Sequence, residues 1–361
     1  MAASRDFDNS VLTDAEDPVQ SRRSRYARVS GGAPPTLTPQ KVAILKFLSE
    51  CRLLSLPQLA CLCCPSEQSA RRHLRELFDA GLVGVIAVSR AALSPSEAAN
   101  DARLLYGSAP NIYVPTKLGL EALVRAGHLD RDVLPRSTPA LGPKNALFLA
   151  HELAVRDVRV WLEVDALAYS TRRVLEWRVG SEAHLSHSSG ATRPDTWFAY
   201  QLGWHQAAIE TPKQVPLVLV GLCEIDRGTE RGSTRWAEKI ADYGALFHDG
   251  EALRNATGYH NARVLVFVPT ARRRDSLAAL IASQVRTQRF PSRLLDRFWL
   301  VEHSFLMDGD LGAAVWRRPE DETLQPLLSP ALLGSLPAVA FNQSTTGSAT
   351  TKSQHDKEDV T

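Results

Sequence analysis

The feature that most constrains the fold is a run of three helical patterns between residues 38 and 80, each with its own start signal. Thr38 can cap a first helix, and Ser55 can cap a short second one. Pro65 breaks the chain before a third pattern over residues 67 to 80. Three short helices joined by tight turns predict a helix-turn-helix.

The third helix has two distinct faces. Its apolar residues recur at helical spacing, and these are Ala70, Leu74, Leu77 and Phe78. The polar side carries Gln68, Arg72 and Arg75, with Arg71 at its flank. Arginine pairs with guanine and glutamine with adenine in a major groove, so these four residues are candidate DNA contacts. The alternatives are a helix that is polar for solubility alone and a winged helix that contacts protein.

Two β-branched runs follow this third helix. They cover residues 83 to 88 and 111 to 115, and a polar loop around residues 94 to 108 separates them. Thr116 then caps a final helix. Residues 38 to 130 are therefore predicted to form an α+β domain, a winged helix that binds DNA.

A different rhythm begins near residue 143 and continues to residue 306. Helices are predicted over residues 145 to 163 and 234 to 247, and another passes through Leu277 and Leu280. Strands are predicted over residues 173 to 179, 194 to 201, 217 to 225, 264 to 268 and 298 to 301. This order predicts an α/β domain with a mixed sheet and helices on its faces.

The composition sets the remaining limits. A chain of 361 residues is long enough for two cores, and its net charge of +2 confines any basic footprint to local patches. Polar composition predicts a disordered arm over residues 1 to 37 and a disordered tail over residues 319 to 361. The chain has no apolar stretch of membrane-spanning length and an N-terminus unlike a secretory signal, so a soluble cytoplasmic protein without membrane contact is expected.

The five cysteines favour a reducing compartment. Cys61, Cys63 and Cys64 lack a second pair at zinc-finger spacing, so they are predicted to pack in the winged-helix core rather than to bind zinc.

Three residues in the second half could carry chemistry. Asp195 opens one predicted strand, Glu224 closes the next, and adjacent strand ends can bring the two carboxylates together. Two such carboxylates suit a Mg²⁺ ion that promotes attack on a phosphodiester, and Lys239 on the following helix could stabilise the developing charge. Structural roles stay open for each: a strand-start cap for Asp195, an ion pair with Arg227 for Glu224, and solvation for Lys239.

At this point the chain resembles a family. The fragments AHELAVRDVRV, RPDTWFAY, GLCEIDRGTE and RWAEKIADY, placed after a winged helix, are similar to the bacterial plasmid replication-relaxation proteins over residues 38 to 306. Within them, EIDRGTE and the Lys-x-x-x-Tyr that follows are the most specific part.

The second half also resembles the PD-(D/E)xK nucleases, whose core is a helix, three strands, a helix and a strand. That resemblance implies a restriction-endonuclease-like fold, with Asp195 and Glu224 as its acids. The superfamily's lysine position is occupied here by Asp226, and Lys239 then stands for a lysine relocated to the helix. Asp226 is either a third metal ligand or the mark of a site that binds DNA without cutting it.

Other residues near these motifs have structural interpretations. His151 shares a helical stripe with apolar residues, which favours a hydrogen-bonded core histidine over a ligand. Glu152 could be a helix-borne catalytic acid, but its stripe also holds Arg156, Arg159 and Glu163, so a salt-bridged surface is favoured. The arginines at 272 to 274 start a helix, where either an anionic partner such as a DNA backbone or solvent would surround them.

These patterns support two functional hypotheses. The first is a DNA-binding protein of plasmid or mobile-element replication or relaxation, with Mg²⁺-dependent nicking as its catalytic version. Its partners would be double-stranded DNA and other plasmid replication or relaxation proteins. The second is a non-enzymatic winged-helix regulator whose α/β domain is a homodimerisation or partner-docking platform.

Overall fold

The computed structural model describes residues 26–29, 35–86, 88, 111–134, 146–208, 211–228, 233–307 and 310–328. The polar loop predicted around residues 94 to 108 lies outside the described residues. So do most of the predicted arm and most of the predicted tail.

The described part of the first half consists of helices around a small antiparallel sheet. The elements are α1 (Pro39–Cys51), β1 (Leu54–Ser55), α2 (Leu56–Cys63), α3 (Glu67–Asp79), β2 (Val83–Ile86), β3 (Ile112–Pro115) and α4 (Lys117–Arg125). The strand order is β1-β3-β2. The predicted caps are confirmed, because Thr38 accepts from the Lys41 N–H, Ser55 forms a capping box with Gln58, and Thr116 accepts from the Gly119 N–H.

The core of this half is built from the predicted apolar faces. All four apolar residues of α3 are buried, as their spacing predicted. Gly119 lets α4 approach β2 closely, since a Cβ there would lie 2.1 Å from the Leu82 carbonyl oxygen. The prediction for the cysteines is only partly right: Cys63 and Cys64 pack at the edge of this core, whereas Cys61 is exposed because it lies on the solvent side of α2.

The second half is a mixed α/β unit. Its helices are α5 (Ala146–Ala168), α6 (Ser233–His248), α7 (Ala252–Thr257) and α8 (Ala271–Thr287). Its strands are β4 (Arg173–Val179), β5 (Leu185–His187), β6 (Gly190–Thr192), β7 (Thr196–Ala208), β8 (Thr211–Ile225), β9 (Arg263–Val268), β10 (Phe298–Glu302), β11 (Ala314–Trp316) and β12 (Gln325–Pro326).

Five of these strands form one mixed sheet in the order β10-β9-β8-β7-β4. The β8, β9 and β10 strands run parallel, whereas β4, β7 and β8 are antiparallel neighbours. Helix α5 packs on one face, while α6 and α8 pack on the other. The predicted mixed sheet with helices on its faces is confirmed.

Parts of both segments that were predicted to be disordered are folded. Residues 319–328 were assigned to the tail, yet β12 pairs with β11, and Leu327 and Leu328 are buried on the α5 face of the sheet. At the other end, residues 26–29 contact α3, where the Val29 N–H donates to Asp79 (3.1 Å). A few apolar and backbone contacts order these segments although their composition is polar.

Helix α5 belongs to both halves. Its Leu149 and Leu153 pack with Ile86 of β2 and Ile112 of β3. From α2, the Gln58 amide donates to the Leu153 carbonyl (3.0 Å).

The charged stripe of α5 also faces the first half. The Arg156 Nε–H donates to the Cys51 carbonyl (3.2 Å), and Arg159 pairs with Glu50 (3.2 Å). The prediction of a salt-bridged stripe is confirmed in its pairs, Glu152 with Arg156 and Arg159 with Glu163. Its placement on the surface is wrong, since the two arginines are 5% and 13% exposed.

Candidate functional site

The outer face of α3 is the first candidate site. Gln68, Arg71 and Arg72 are exposed, and Arg71 also pairs with Glu67 one turn earlier (3.0 Å from Nε). Arg75 differs from them because it is half-buried, pairs with Asp79 (2.8 Å) and donates to the Ala27 carbonyl (2.9 Å). Three of the four predicted DNA contacts are therefore presented to solvent, and Arg75 is engaged within the protein.

The second candidate site lies where β7 begins and β8 ends. Asp195 directly precedes β7, and its N–H donates to the Cys223 carbonyl (2.9 Å). Its Oδ2 accepts from the Ile225 N–H (2.7 Å). Because β7 and β8 pair antiparallel with Thr196 opposite Cys223, this end of the sheet places Asp195 next to Glu224.

Helix α6 supplies two partners for Glu224. Lys239 Nζ lies 2.5 Å from Glu224 Oε2, and the Tyr243 hydroxyl donates to Oε1 (2.7 Å). Lys239 and Tyr243 are four residues apart, so they lie on one face of the helix. The Glu224 side chain is 1% exposed, and this burial raises its pKa against the opposing effect of Lys239.

His151 of α5 reaches the same cluster from the other side of the sheet. Its Nε2 lies 3.3 Å from Asp195 Oδ1. Burial alone would raise the pKa of Asp195, but the His151 hydrogen bond and the Lys239 charge outweigh it and lower that pKa. The same hydrogen bond raises the pKa of His151. The expectation of a hydrogen-bonded core histidine is right about the hydrogen bond and wrong about the burial, since the His151 side chain is 30% exposed.

Asp226 is engaged elsewhere. Its carboxylate accepts from the Gly228 N–H, from the Trp236 indole and from the Arg273 guanidinium, whose nitrogen lies 2.6 Å away. Asp226 thus ties the end of β8 to the first turns of α6 and α8.

The predicted arginine triplet has its anionic partners inside the protein. Arg273 pairs with Asp226, and Arg274 pairs with Glu302 and Asp275 (3.1 Å each). Only Arg272 of the three is exposed.

A pocket of about 180 Å³ opens beside Glu224 and Lys239. Oxygen donors of two carboxylates are the ligands Mg²⁺ takes from proteins, with water or phosphate completing its shell, so Asp195 and Glu224 fit such an ion. Among the described residues, no three His, Cys, Asp or Glu side chains come together as a metal-binding group. Any ion at this site would therefore be held by the carboxylates of Asp195 and Glu224 alone, since Asp226 is paired with Arg273.

Sequence reasoning missed the roles of His151 and Tyr243. Tyr243 could have been found, because the Lys-x-x-x-Tyr spacing places its hydroxyl beside the Lys239 ammonium. His151 precedes Asp195 by more than forty positions in the sequence, and no local pattern joins the two.

The fold and these sites define a mixed α/β protein with an exposed polar helix and a buried carboxylate–lysine cluster. A family model described as replication-relaxation matches residues 45–261, so the chain belongs to the replication-relaxation family. The family links the protein to plasmid replication and relaxation. Comparisons with curated proteins and with solved structures give no match. None of the described helices has the length and apolar character needed to cross a membrane.

Proposed function

We propose that this protein binds double-stranded DNA in plasmid replication or relaxation, with residues 38–130 acting as a winged helix. The observation that carries the proposal is α3, which buries its apolar face and exposes Gln68, Arg71 and Arg72. Arginine and glutamine on one exposed helical face are the side chains that contact base edges in a major groove.

The arrangement around α3 supports the same function. Helix α3 follows α2 after a short turn, and the antiparallel strands β2 and β3 come next in the chain. That is the order in which winged-helix proteins carry the recognition helix and the wing. The loop between β2 and β3, which would be the wing tip, lies outside the described residues.

A binding titration on plasmid-derived duplex fragments tests this function. We expect Arg72→Ala to weaken binding, whereas Arg125→Ala, which removes an exposed arginine from α4, should leave it unchanged. Equal binding by both variants and the wild type would mean that α3 does not contact DNA.

A second candidate function is Mg²⁺-dependent nicking of DNA. Apart from the short β5–β6 hairpin and helix α7, the order α5-β4-β7-β8-α6-β9 is that of the helix, three strands, helix and strand of the PD-(D/E)xK core. The specific observation in its favour is that Asp195, Glu224 and Lys239, far apart in sequence, lie in one cluster beside a pocket.

In that function Asp195 and Glu224 would hold the ion. When bound, Mg²⁺ lowers the pKa of a coordinated water and polarises the phosphodiester. The Tyr243 hydroxyl holds Oε1 of Glu224 and so orients the carboxylate. Lys239 would exchange its contact with Glu224 for the negative charge of the phosphate.

Incubation with supercoiled plasmid and Mg²⁺ separates nicking from binding alone. Asp195→Asn is the matched variant, since an amide oxygen can still accept from the Ile225 N–H. Nicking by the wild type that is lost in Asp195→Asn and in chelator supports a nuclease. Binding without nicking in both proteins supports the regulator, whose α/β unit serves for dimerisation or partner docking.

A further inference from the structure

A wide groove in the described part of the chain lies at the opposite end of the sheet from Glu224. It has a volume of about 380 Å³ and forms where β8 extends beyond β9, whose first residue, Arg263, pairs with Gly221. Its volume is within the range of ligand pockets, about 300 to 1,000 Å³. Neither the polar face of α3 nor the carboxylate cluster accounts for it.

The groove combines an apolar floor with a basic rim. Val218 and Val220 form the floor on the face that α6 and α8 cover, and Arg293 and Arg297 stand at the rim there. On the α5 face, Leu202, Leu219, Leu328 and Arg263 also line the groove. Arg318 adds a fourth positive charge next to the Trp299 ring. The Arg263 guanidinium lies over the same ring, 4.6 Å from its centroid. Asp296 is the one carboxylate among the described residues that line the groove, and Arg318 pairs both with it and with Asp321.

The positive charges of the rim are only partly neutralised. The Arg293 side chain is exposed and makes no hydrogen bond or ion pair with another described residue. Burial and the nearby charge of Arg318 lower the pKa of Arg263. A bound anion would relieve this crowding of like charges.

An exposed aromatic ring lies on β7, across from the β8 strand that lines the groove. Trp204 is 38% exposed and pairs with Pro216 across the β7–β8 ribbon. Side chains alternate along a strand, so Trp204 shares a face with Val218 and Val220, both of which line the groove. An aromatic ring on the same face as the rim arginines offers stacking for a base, while the arginines offer charge for a phosphate.

We propose that this groove binds single-stranded DNA, with a base stacked on Trp204 and the backbone phosphates on Arg293 and its neighbours. A single strand fits better than a duplex, because only an unpaired base offers its face to an apolar floor. This site would hold an opened strand while α3 holds the duplex. It extends the proposed DNA binding but has residues of its own.

Fluorescence anisotropy with a labelled oligothymidylate tests the proposal. Trp204→Ala should weaken binding about tenfold, and Trp204→Phe should restore most of it because a ring remains. Arg293→Ala should weaken binding and lower the slope of log affinity against log salt by about 0.7. Arg125→Ala is the matched control, since it removes an exposed arginine of α4 that does not line the groove.

Two results would overturn the proposal. One is unchanged oligothymidylate affinity in both Trp204→Ala and Arg293→Ala. The other is selective binding of an acidic polyglutamate peptide that depends on Arg293, which would make the occupant a protein segment. Arg72→Ala with a duplex is measured in parallel, so failure of the groove and failure of α3 as a DNA contact give separate readouts.

Discussion

The polar face of α3 and the carboxylate cluster use their charged groups in opposite ways. The side chains of Gln68 and Arg72 are exposed and make no hydrogen bonds to described residues. Both carboxylate oxygens of Glu224 are bonded, and the side chain is almost fully buried. An incoming ligand therefore meets the α3 side chains at little cost, whereas at Glu224 it must replace contacts that stabilise the fold.

The largest effect is expected from breaking the buried pair. Lys239→Met should lower the free energy of unfolding by about 3 kcal/mol, because Glu224 would remain buried without its cation. Urea denaturation of the two proteins measures the difference.

Two further variants check this interpretation. Lys117→Met removes a lysine that is 87% exposed, and it should change stability very little. The double variant Lys239→Met/Glu224→Gln should recover most of the loss, since no unpaired charge remains. If Lys239→Met lowered the free energy of unfolding only slightly, the Lys239–Glu224 ion pair would not stabilise the fold as its burial indicates.

A smaller effect is expected on the α3 face. Arg72→Ala should weaken duplex binding about tenfold, or about 1.4 kcal/mol, while leaving the unfolding free energy unchanged. Anisotropy titration at fixed salt gives the first quantity, and thermal unfolding gives the second. A loss of stability in this variant would contradict the contrast between the two regions.

The link between His151 and Asp195 should make part of the stability depend on pH. The raised pKa of His151 gives a contribution that is present below 6.5 and lost as pH rises through the raised value. The lowered pKa of Asp195 gives one that is present above 3.8 and lost as pH falls through the lowered value. His151→Gln should therefore cost about 1 kcal/mol near pH 5 and much less in alkaline buffer.

Thermal unfolding of the wild type and His151→Gln, from pH 5 to alkaline buffer, measures the difference in stability between the two proteins. A difference that stays constant with pH would show that the contact depends on packing rather than charge.

The smallest effect on duplex affinity is expected for Arg75, the half-buried arginine of α3. Arg75→Ala should change duplex affinity by less than about twofold, because this guanidinium is bound to Asp79 and the Ala27 carbonyl. Measured beside Arg72→Ala, it distinguishes contact by the exposed residues from a general effect of positive charge. Equal losses in the two variants would mean that Arg75 leaves its partners when DNA binds.

Local signals in the sequence were enough to predict much of the fold. The caps at Thr38, Ser55 and Thr116 and the apolar spacing of α3 depend on neighbours within four residues, and all are confirmed. The two-residue β1 and the β11–β12 pair were missed, since each depends on a strand distant in the sequence or on very few residues.

The candidate sites were predicted less completely. Asp195 and Glu224 could be placed together because adjacent strand ends meet at one edge of a sheet. The pairing of Arg75 with Asp79 follows helical spacing and was within reach of the sequence. The contacts of Arg75 with Ala27 and of Asp226 with Arg273 could not be predicted, because these partners are 48 and 47 residues away. The type of a side chain indicates what it can bind, but its partners within the protein depend on the fold.

The packing of α5 has a consequence for how this chain can be divided. Leu149 and Leu153 cover Ile86 and Ile112, so the small sheet depends on a wall that comes from beyond residue 130. A fragment ending there would expose that apolar patch to water and would tend to aggregate. A recombination event that moved only residues 38 to 130 into another protein would separate them from helix α5 and its leucines. The segment that can be inherited intact is therefore longer than the helical unit that its sequence outlines.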